Sequence, residues 1–210
     1  MNNLVMMRKR LYTRNLVPGK AVYGERLSKR DGVEYREWIA ERSKLGAGLM
    51  KGLKNPIEDK CIVLYLGAAS GTTVSHVSDL ASNGRVYAVE FAPEPMKQLI
   101  MLAKDRQNII PYFADANHPE EYKVERVDVL FQDIAQRNQA EIFIKNCAVY
   151  LKGSGLGLLV VKSRSIDVTR RPNDVFREVE QELSKKFRIT GKSRLEPYEQ
   201  DHMLFVVKKK

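Results

Sequence analysis

Ile62-Val63-Leu64-Tyr65-Leu66-Gly67-Ala68-Ala69-Ser70-Gly71-Thr72-Thr73 is an apolar run that breaks into a glycine-punctuated turn and then into helix-forming sequence. A buried strand that delivers a Gly-rich loop to the start of a helix makes the nucleotide-type binding edge of an α/β domain. Gly67 reads as the residue that lets the chain leave the strand in a conformation closed to other residues. Gly71 reads as the place where a missing side chain lets backbone approach a ligand. Nineteen residues after Gly71, Arg85-Val86-Tyr87-Ala88-Val89-Glu90 reads as a second buried strand ending on a carboxylate, the position that accepts both hydroxyls of a ribose. The spacing Gly67-x-x-x-Gly71, with Ala68 and Ala69 between, is wider than the G-x-G-x-x-G turn that receives a pyrophosphate. It suits an adenosine ligand without phosphates, such as S-adenosylmethionine. The same glycines also serve tight strand-to-helix packing in many α/β domains, so the loop alone does not decide.

At 210 residues the chain accommodates one α/β domain with a small appendage. It contains no run of 18 apolar residues, and Met1-Asn2-Asn3-Leu4-Val5-Met6-Met7 lacks the apolar core and cleavage site of a signal peptide, so a cytoplasmic protein without a membrane role is expected. Cys61 and Cys147 form no C-x-x-C pair and read as buried, reduced thiols; no metal is expected. Thirty-six Lys and Arg against 26 Asp and Glu leave a formal charge of +10, unevenly placed. Residues 1–30 hold Arg8, Lys9, Arg10, Arg14, Lys20, Arg26, Lys29 and Arg30 against Glu25 alone, a local charge of +7. That asymmetry favours a polyanion such as nucleic acid as partner, with an acidic protein surface or plain solvation as the alternatives.

Residues 1–38 read as a small basic β-rich module. Its expected parts are a strand from Lys9 to Leu16, a type II turn at Val17-Pro18-Gly19-Lys20, a strand from Ala21 to Leu27, and a hairpin at Arg30-Asp31-Gly32 leading into Val33–Trp38. Trp38 is expected to anchor the module by burial. A helix follows from Glu41 to Leu53, ended by Lys54-Asn55-Pro56, and residues 39–210 read as the main domain. There the pattern alternates: strand 62–66, helix 72–81, strand 85–90, helix 93–105, strands 109–112 and 127–131, helix 137–151, strand 156–161 and helix 173–186. Such alternation implies a parallel sheet with right-handed crossovers. Phe187–Leu195 and Met203–Val207 are joined by a link too short for a crossover, so the last strand must run antiparallel. A mostly parallel seven-stranded sheet with an antiparallel last strand is the arrangement of S-adenosylmethionine-dependent methyltransferases, a Rossmann-like fold.

In such a sheet ligands bind outside the carboxyl ends of the strands. Glu90, Asp115, Asp133 and Lys162 all fall there, and His202 begins the reversed strand and so shares the edge. Lys44, in the helix before the first parallel strand, can reach it. Each has a plainer reading: a lysine can snorkel, an aspartate can cap a helix, a histidine can be structural. Convergence of separate segments raises Asp133, Lys162 and His202 above those readings.

The chain resembles the fibrillarin family, in its archaeal form, over nearly its whole length. The matching segments are Tyr35-Arg36-Glu37-Trp38 with Arg42-Ser43-Lys44-Leu45, the run from Leu64 through Asp79, Gly84-Arg85-Val86-Tyr87-Ala88-Val89-Glu90-Phe91, and Asp115-Ala116-Asn117-His118-Pro119. Gln132-Asp133-Ile134-Ala135-Gln136, Lys162-Ser163-Arg164-Ser165-Ile166-Asp167 and Glu196-Pro197-Tyr198-Glu199-Gln200-Asp201-His202 complete the set. After Glu90-Phe91-Ala92 the family shows two arginines and then an acidic residue, where this chain has Glu94, Lys97 and Gln98. These fall on the next helix, so the departure bears on packing or a partner contact and not on the reaction.

The resemblance implies 2′-O-methylation of ribose in rRNA, with tRNA as a further substrate, by a box C/D guide-RNA particle containing a Nop5-type scaffold and an L7Ae-type RNA-binding protein. It implies a catalytic set on Lys44, Asp133, Lys162 and His202. Gly67, Ala68, Gly71, Thr72, Thr73, Glu90, Phe91, Asp115, Ala116 and the run Asp133, Ile134, Ala135, Gln136 would enclose S-adenosylmethionine. In the implied chemistry Lys162 favours the developing alkoxide and Asp133 orients it. A non-catalytic assembly subunit that keeps the pocket, and an NAD-dependent oxidoreductase on the same sheet, are the competing readings. With nucleic acid as the favoured partner of the basic N-terminal segment, binding of guide RNA by the isolated chain is expected to weaken steeply with added salt through counterion release. A flat salt response in a titration would instead assign that segment to an acidic protein surface.

Overall fold

The computed structural model describes residues 3–210, so the first two residues of the N-terminal module lie outside it. Two sheets form. The smaller is antiparallel and is built from β1 (Leu4–Met7), β2 (Arg10–Arg14), β3 (Leu27–Arg30) and β4 (Val33–Trp38) in the order β1-β2-β4-β3. The turn at 17–20 forms as expected, with Gly19 at φ 85° and Lys20 N–H donating to Val17 O at 3.2 Å. Asp31 and Gly32, both at positive φ, turn β3 into β4.

Two expectations for this module need correction. Strand β1 was not foreseen, because it is joined to β2 through Arg8 and Lys9 at φ 49° and 65°, a left-handed turn without the Gly or Asn that usually signals one. Residues 21–26 form no strand. The Glu25 carboxylate curls that segment back on itself by accepting from Val22 N–H at 2.9 Å and Tyr23 N–H at 2.8 Å.

The expected helix from Glu41 to Leu53 is also shorter. A 3-10 turn at Ala40–Arg42 precedes α1 (Lys44–Met50), and between them Ser43 is extended and caps α1 by accepting from Gly46 N–H at 3.1 Å.

The larger sheet holds β5 (Ile62–Leu66), β6 (Arg85–Glu90), β7 (Ile109–Phe113), β8 (Val127–Gln132), β9 (Leu151–Lys162), β10 (Phe187–Arg194) and β11 (His202–Lys209). Their order is β10-β11-β9-β8-β5-β6-β7, with β7, β6, β5, β8 and β9 mutually parallel and β11 antiparallel to both neighbours. The connecting helices are α2 (Thr72–Leu80), α3 (Pro93–Asp105), α4 (Gln139–Tyr150), the single turn α5 (Ser163–Ile166) and α6 (Pro172–Lys186). Strand order reverses between β5 and β8, and it is there that the crevice of a doubly wound sheet opens. No helix among the described residues is long and apolar enough to cross a membrane.

Period-two alternation along β5 sends Val63 and Tyr65 into a core under α1, α2 and α3, and Leu64 and Leu66 into a second core under α4 and α6. Trp38 and Leu11 of the small sheet join the first of these cores. Trp38, 2% exposed, stacks on His76 of α2 with ring centroids 4.7 Å apart.

Beside this stack lies a buried charge cluster. Asp79 of α2 takes Arg106 Nη1 at 2.6 Å, Thr13 Oγ1 at 2.7 Å and Leu16 N–H at 2.9 Å, and lies 3.1 Å from Arg36 Nε. Arg36 also contacts Glu25 at 3.1 Å; these two ion pairs lie off hydrogen-bond alignment, and its aligned bond runs from Nη2 to Ser75 Oγ at 2.7 Å. Since Thr13 donates to the carboxylate, it accepts from His76 Nδ1–H at 2.7 Å, which leaves His76 Nε2 to accept from Tyr23 OH at 2.7 Å.

Asp79→Ala strands the buried Arg106 guanidinium and leaves buried Arg36 with Glu25 alone. Unfolding in denaturant should show a loss of about 3–5 kcal/mol, against near-wild-type stability if the cluster were idle. Burial, and then the charges of Arg36 and Arg106, hold the His76 pKa well below its ordinary value. Above pH 6.5 the ring is neutral folded or unfolded; below it only the unfolded chain takes the proton, so stability falls with acid by up to about 1.4 kcal/mol per pH unit. In His76→Gln the slope of unfolding free energy between pH 7 and pH 5 should flatten by up to about one proton, and an unchanged slope would refute the assignment.

Candidate active site at the carboxyl edge of the large sheet

Where β5 ends, Gly67 takes φ 81°, and a Cβ there would come within 2.7 Å of Asp133 O and 2.8 Å of Ile134 Cγ2. Gly67 therefore keeps open the space between the β5 and β8 loops. Gly71 answers to a different neighbour from the one expected. Its φ is 94°, and a Cβ would strike Leu102 of α3, so helix packing is what excludes a side chain there. Between them the non-glycine Ala69 sits at φ 48°, held by its N–H donating to Glu90 Oε2 at 2.8 Å. The other Glu90 oxygen accepts from Ala92 N–H at 2.8 Å, so one buried carboxylate ties the two loops that flank the crevice.

A cavity of about 230 Å³ opens at this edge, lined by Gly67, Ala69, Val89, Glu90, Phe91, Ala114, Asp115, Ala116, Asp133, Ile134, Ala135, Gln136 and Lys162. Phe91, 59% exposed, presents an uncovered ring to it. Asp115 Oδ1 accepts from the backbone and side-chain amides of Asn117, both at 2.9 Å, which leaves Oδ2 as an acceptor. Asn117 also donates to Gln136 Oε1 at 2.9 Å, which fixes that wall. A carboxylate for a ribose, an acceptor for an amino group, an aromatic face and a glycine-cleared floor fit the adenosine portion of S-adenosylmethionine.

Not every expected cofactor residue lines this space. Ala68 is buried, and Gly71 turns into α2 as described. Thr73 is buried too, donating to Ser43 Oγ at 3.0 Å and bonding the Tyr65 phenol. Thr72 faces a separate cleft of about 480 Å³ beside Tyr23, Arg42 and α3. That cleft is larger but carries none of Lys44, Asp133, Lys162 and His202, so convergence of chemistry and not volume marks the site.

The four candidate catalytic side chains arrive from four segments. Asp133 follows β8, its N–H donating to Leu66 O at 2.9 Å. Lys162 ends β9, and its Nζ lies 2.7 Å from Asp133 Oδ1 and donates to Asp133 O at 3.2 Å. The contact with Oδ1 is an ion pair off hydrogen-bond alignment, so this buried oxygen keeps acceptor capacity. His202 is the cross-strand partner of Lys162. Ser163 N–H donates to Asp201 O at 3.2 Å, so 162 and 202 are a non-hydrogen-bonded pair, the kind whose side chains come closest. His202 Nδ1 must carry the hydrogen it gives to Gln200 O at 2.5 Å, leaving Nε2 without a partner among the described residues.

Lys44 opens α1 and pairs with Glu199 Oε1 at 3.0 Å. Burial lowers its pKa, but Asp133 and Glu199 outweigh that and the net shift is upward, so the ammonium is secured. The Tyr65 phenol beneath is held protonated, first by burial and then by Asp133.

Glu199 was not assigned a role from sequence, although it sits within Glu196-Pro197-Tyr198-Glu199-Gln200-Asp201-His202; only the fold shows that this loop meets Lys44. Gln139, fully buried at the start of α4, was missed as well. Its amide bonds the backbone of Lys162, with N–H of Lys162 to Oε1 at 3.0 Å and Nε2 to O of Lys162 at 3.2 Å. A residue that acts on backbone leaves no side-chain pattern to read.

Comparison with known proteins identifies the family. The family model described as Fibrillarin matches residues 2–210. A Pyrococcus horikoshii protein named fibrillarin-like rRNA/tRNA 2′-O-methyltransferase is 55% identical over 205 residues, covering 96% of this chain and 90% of the relative. The crystal structure of Aeropyrum pernix fibrillarin with natively bound S-adenosyl-L-methionine superposes with a TM-score of 0.89 at 44% identity, covering 97% of this chain and 92% of that one. Fibrillarin from a fibrillarin/Nop5p complex gives 0.92 at 42% identity, covering 100% and 99%. With a match that takes in both sheets and every segment of the edge just described, the chain belongs to the fibrillarin family.

Proposed function

We propose that the chain transfers a methyl group from S-adenosylmethionine to ribose 2′-hydroxyls of rRNA and tRNA, guided by box C/D RNA in a particle with a Nop5-type scaffold and an L7Ae-type RNA-binding protein. The observation that carries this reading is the Lys162–Asp133 ion pair at 2.7 Å on the rim of a cavity of about 230 Å³ lined by Glu90, Phe91 and Asp115. Support for the donor and the scaffold comes from relatives solved with S-adenosyl-L-methionine and with Nop5p. The organisation we assign is a basic β module over residues 1–38 and a methyltransferase domain over 39–210, acting in the cytoplasm.

Bound at this edge, the donor supplies an electrophilic methyl on a sulfonium. Glu90 accepts the ribose hydroxyls, Phe91 covers the adenine, Asp115 accepts from its amino group and the Ala116 N–H donates to a ring nitrogen. Gly67, Ile134, Ala135 and Gln136 form the floor and the far wall. Ala68, Gly71, Thr72 and Thr73 act one layer back, by shaping the turn and the start of α2.

Lys162, held as an ammonium against Asp133, stabilises negative charge as it develops on the 2′-oxygen. Asp133 orients that ammonium and, as the basic member of the pair, receives the hydroxyl proton. Lys44, fixed by Glu199, and His202, through its Nε2, complete the polar wall that holds the target ribose and its phosphate.

In the reconstituted particle with a matched target, Lys162→Ala is expected to lower methyl incorporation by about 10²–10⁴-fold while donor affinity measured by calorimetry stays close to wild type. Near-normal turnover would remove the lysine from the mechanism. Unchanged incorporation in an Asp133→Ala particle would mark the chain as an assembly subunit.

A further inference from the structure

The parallel ladder between β8 and β9 stops at the pair Gln132↔Leu159, yet β9 continues to Lys162. Three residues past the last pair, the side of Lys162 that faced β8 has no strand beside it. Its other side is occupied by His202 of β11. A buried backbone N–H and C=O left without partners is costly, and a strand end without a ladder on one side is free to shift.

Gln139 fills that gap. It is the first residue of α4 and is fully buried. Its Oε1 accepts from Lys162 N–H at 3.0 Å and its Nε2 donates to Lys162 O at 3.2 Å, the two bonds a neighbouring peptide would make. The backbone O of Gln139 in turn accepts from Gln132 Nε2 at 2.7 Å, and Gln132 is the residue immediately before Asp133. One residue therefore grips both strand ends whose next side chains form the 2.7 Å Lys162–Asp133 pair.

We propose that Gln139 is a positioning residue for methyl transfer: its amide stands in for the missing β8 neighbour at Lys162 and thereby sets the Lys162 ammonium against Asp133 and the target oxygen. The inference rests on the reading of Lys162 as the group that stabilises the 2′-oxygen. Side-chain type is restrictive. An asparagine amide is one methylene short, methionine fills the volume without either bond, and glutamate keeps an acceptor for Lys162 N–H but, as a carboxylate, loses the donor to Lys162 O.

The test compares Gln139→Met, Gln139→Glu and Lys162→Ala in the reconstituted particle under single-turnover conditions, with donor affinity and thermal midpoint measured for each. For Gln139→Met the transfer rate should fall by roughly 10²-fold, as expected for a sub-ångström to 1 Å misplacement, with donor and RNA affinities within about threefold of wild type. Gln139→Glu should recover part of the rate, and exchange of the Lys162 backbone amide should be fast in the methionine variant and slower in the glutamate one. Where the methionine variant does not fold, the glutamate variant carries the comparison: a rate loss with intact donor affinity supports the proposal.

A normal rate in the Gln139 variants beside an inactive Lys162→Ala overturns the positioning role alone. A rate loss matched by an equal loss of donor affinity reduces Gln139 to a general structural residue and also overturns it. Activity in Lys162→Ala removes the lysine reading first, and the inference with it.

Discussion

Asp79 is the anion on which two buried cations depend, and through them the placement of the small sheet on the large one. Arg36 comes from β4, Arg106 from the end of α3 and Thr13 from β2, and all three meet at this carboxylate on α2. A buried ion is tolerated only where counter-charge and hydrogen bonds replace water. The cluster therefore acts as a register pin: shifting the N-terminal sheet would break the buried contacts of Arg36 and Thr13 with Asp79. The helix it pins begins at Thr72, directly after the Gly67–Gly71 turn, so the same contacts steady the turn that the cofactor edge is built from.

That edge exists because strand direction places separate segments at one end of a sheet. Parallel strands β5, β6 and β8 deliver Gly67, Glu90 and Asp133, and β9 delivers Lys162. His202 arrives there at the start of a reversed strand. The reversal of β11 is thus what brings His202 to this edge. It sets His202 opposite Lys162 as a cross-strand partner, and β10 reaches β11 through only a short link.

Much of this could be read from sequence, and where it could not, the physical reasons differ. The limits of β5, β6 and α3 follow from uninterrupted apolar runs and clear breakers, and they coincide with the structure. The four polar residues of the edge were found because each lies at a strand end or in a matched segment. β1 was hidden by a left-handed turn made of Arg8 and Lys9. The curl at 21–26 was hidden because Glu25 looked like an isolated acid in a basic stretch, whereas it is buried against Arg36 and three backbone bonds. Gly71 illustrates the remaining difficulty: its requirement for glycine was legible, but Leu102, thirty-one residues away, is what sets it.

The charge balance of the site follows from the same packing. Lys162 with Asp133, and Lys44 with Glu199, make two cations and two anions within a partly buried wall whose side chains are 13–22% exposed. A pocket with surplus positive charge would repel a sulfonium, and one with surplus negative charge would repel an RNA phosphodiester. Paired as they are, these four groups add no net charge beside the carboxylates of Glu90 and Asp115 that line the cavity. The chain's formal charge of +10 is drawn largely from elsewhere: the eight Lys and Arg of residues 1–30, against one Glu, lie on the small sheet and its turns, and residues 185–194 add five more Lys and Arg with no acid. Long-range attraction of a polyanion scales with such an excess, whereas the local chemistry of the edge is set by its paired groups.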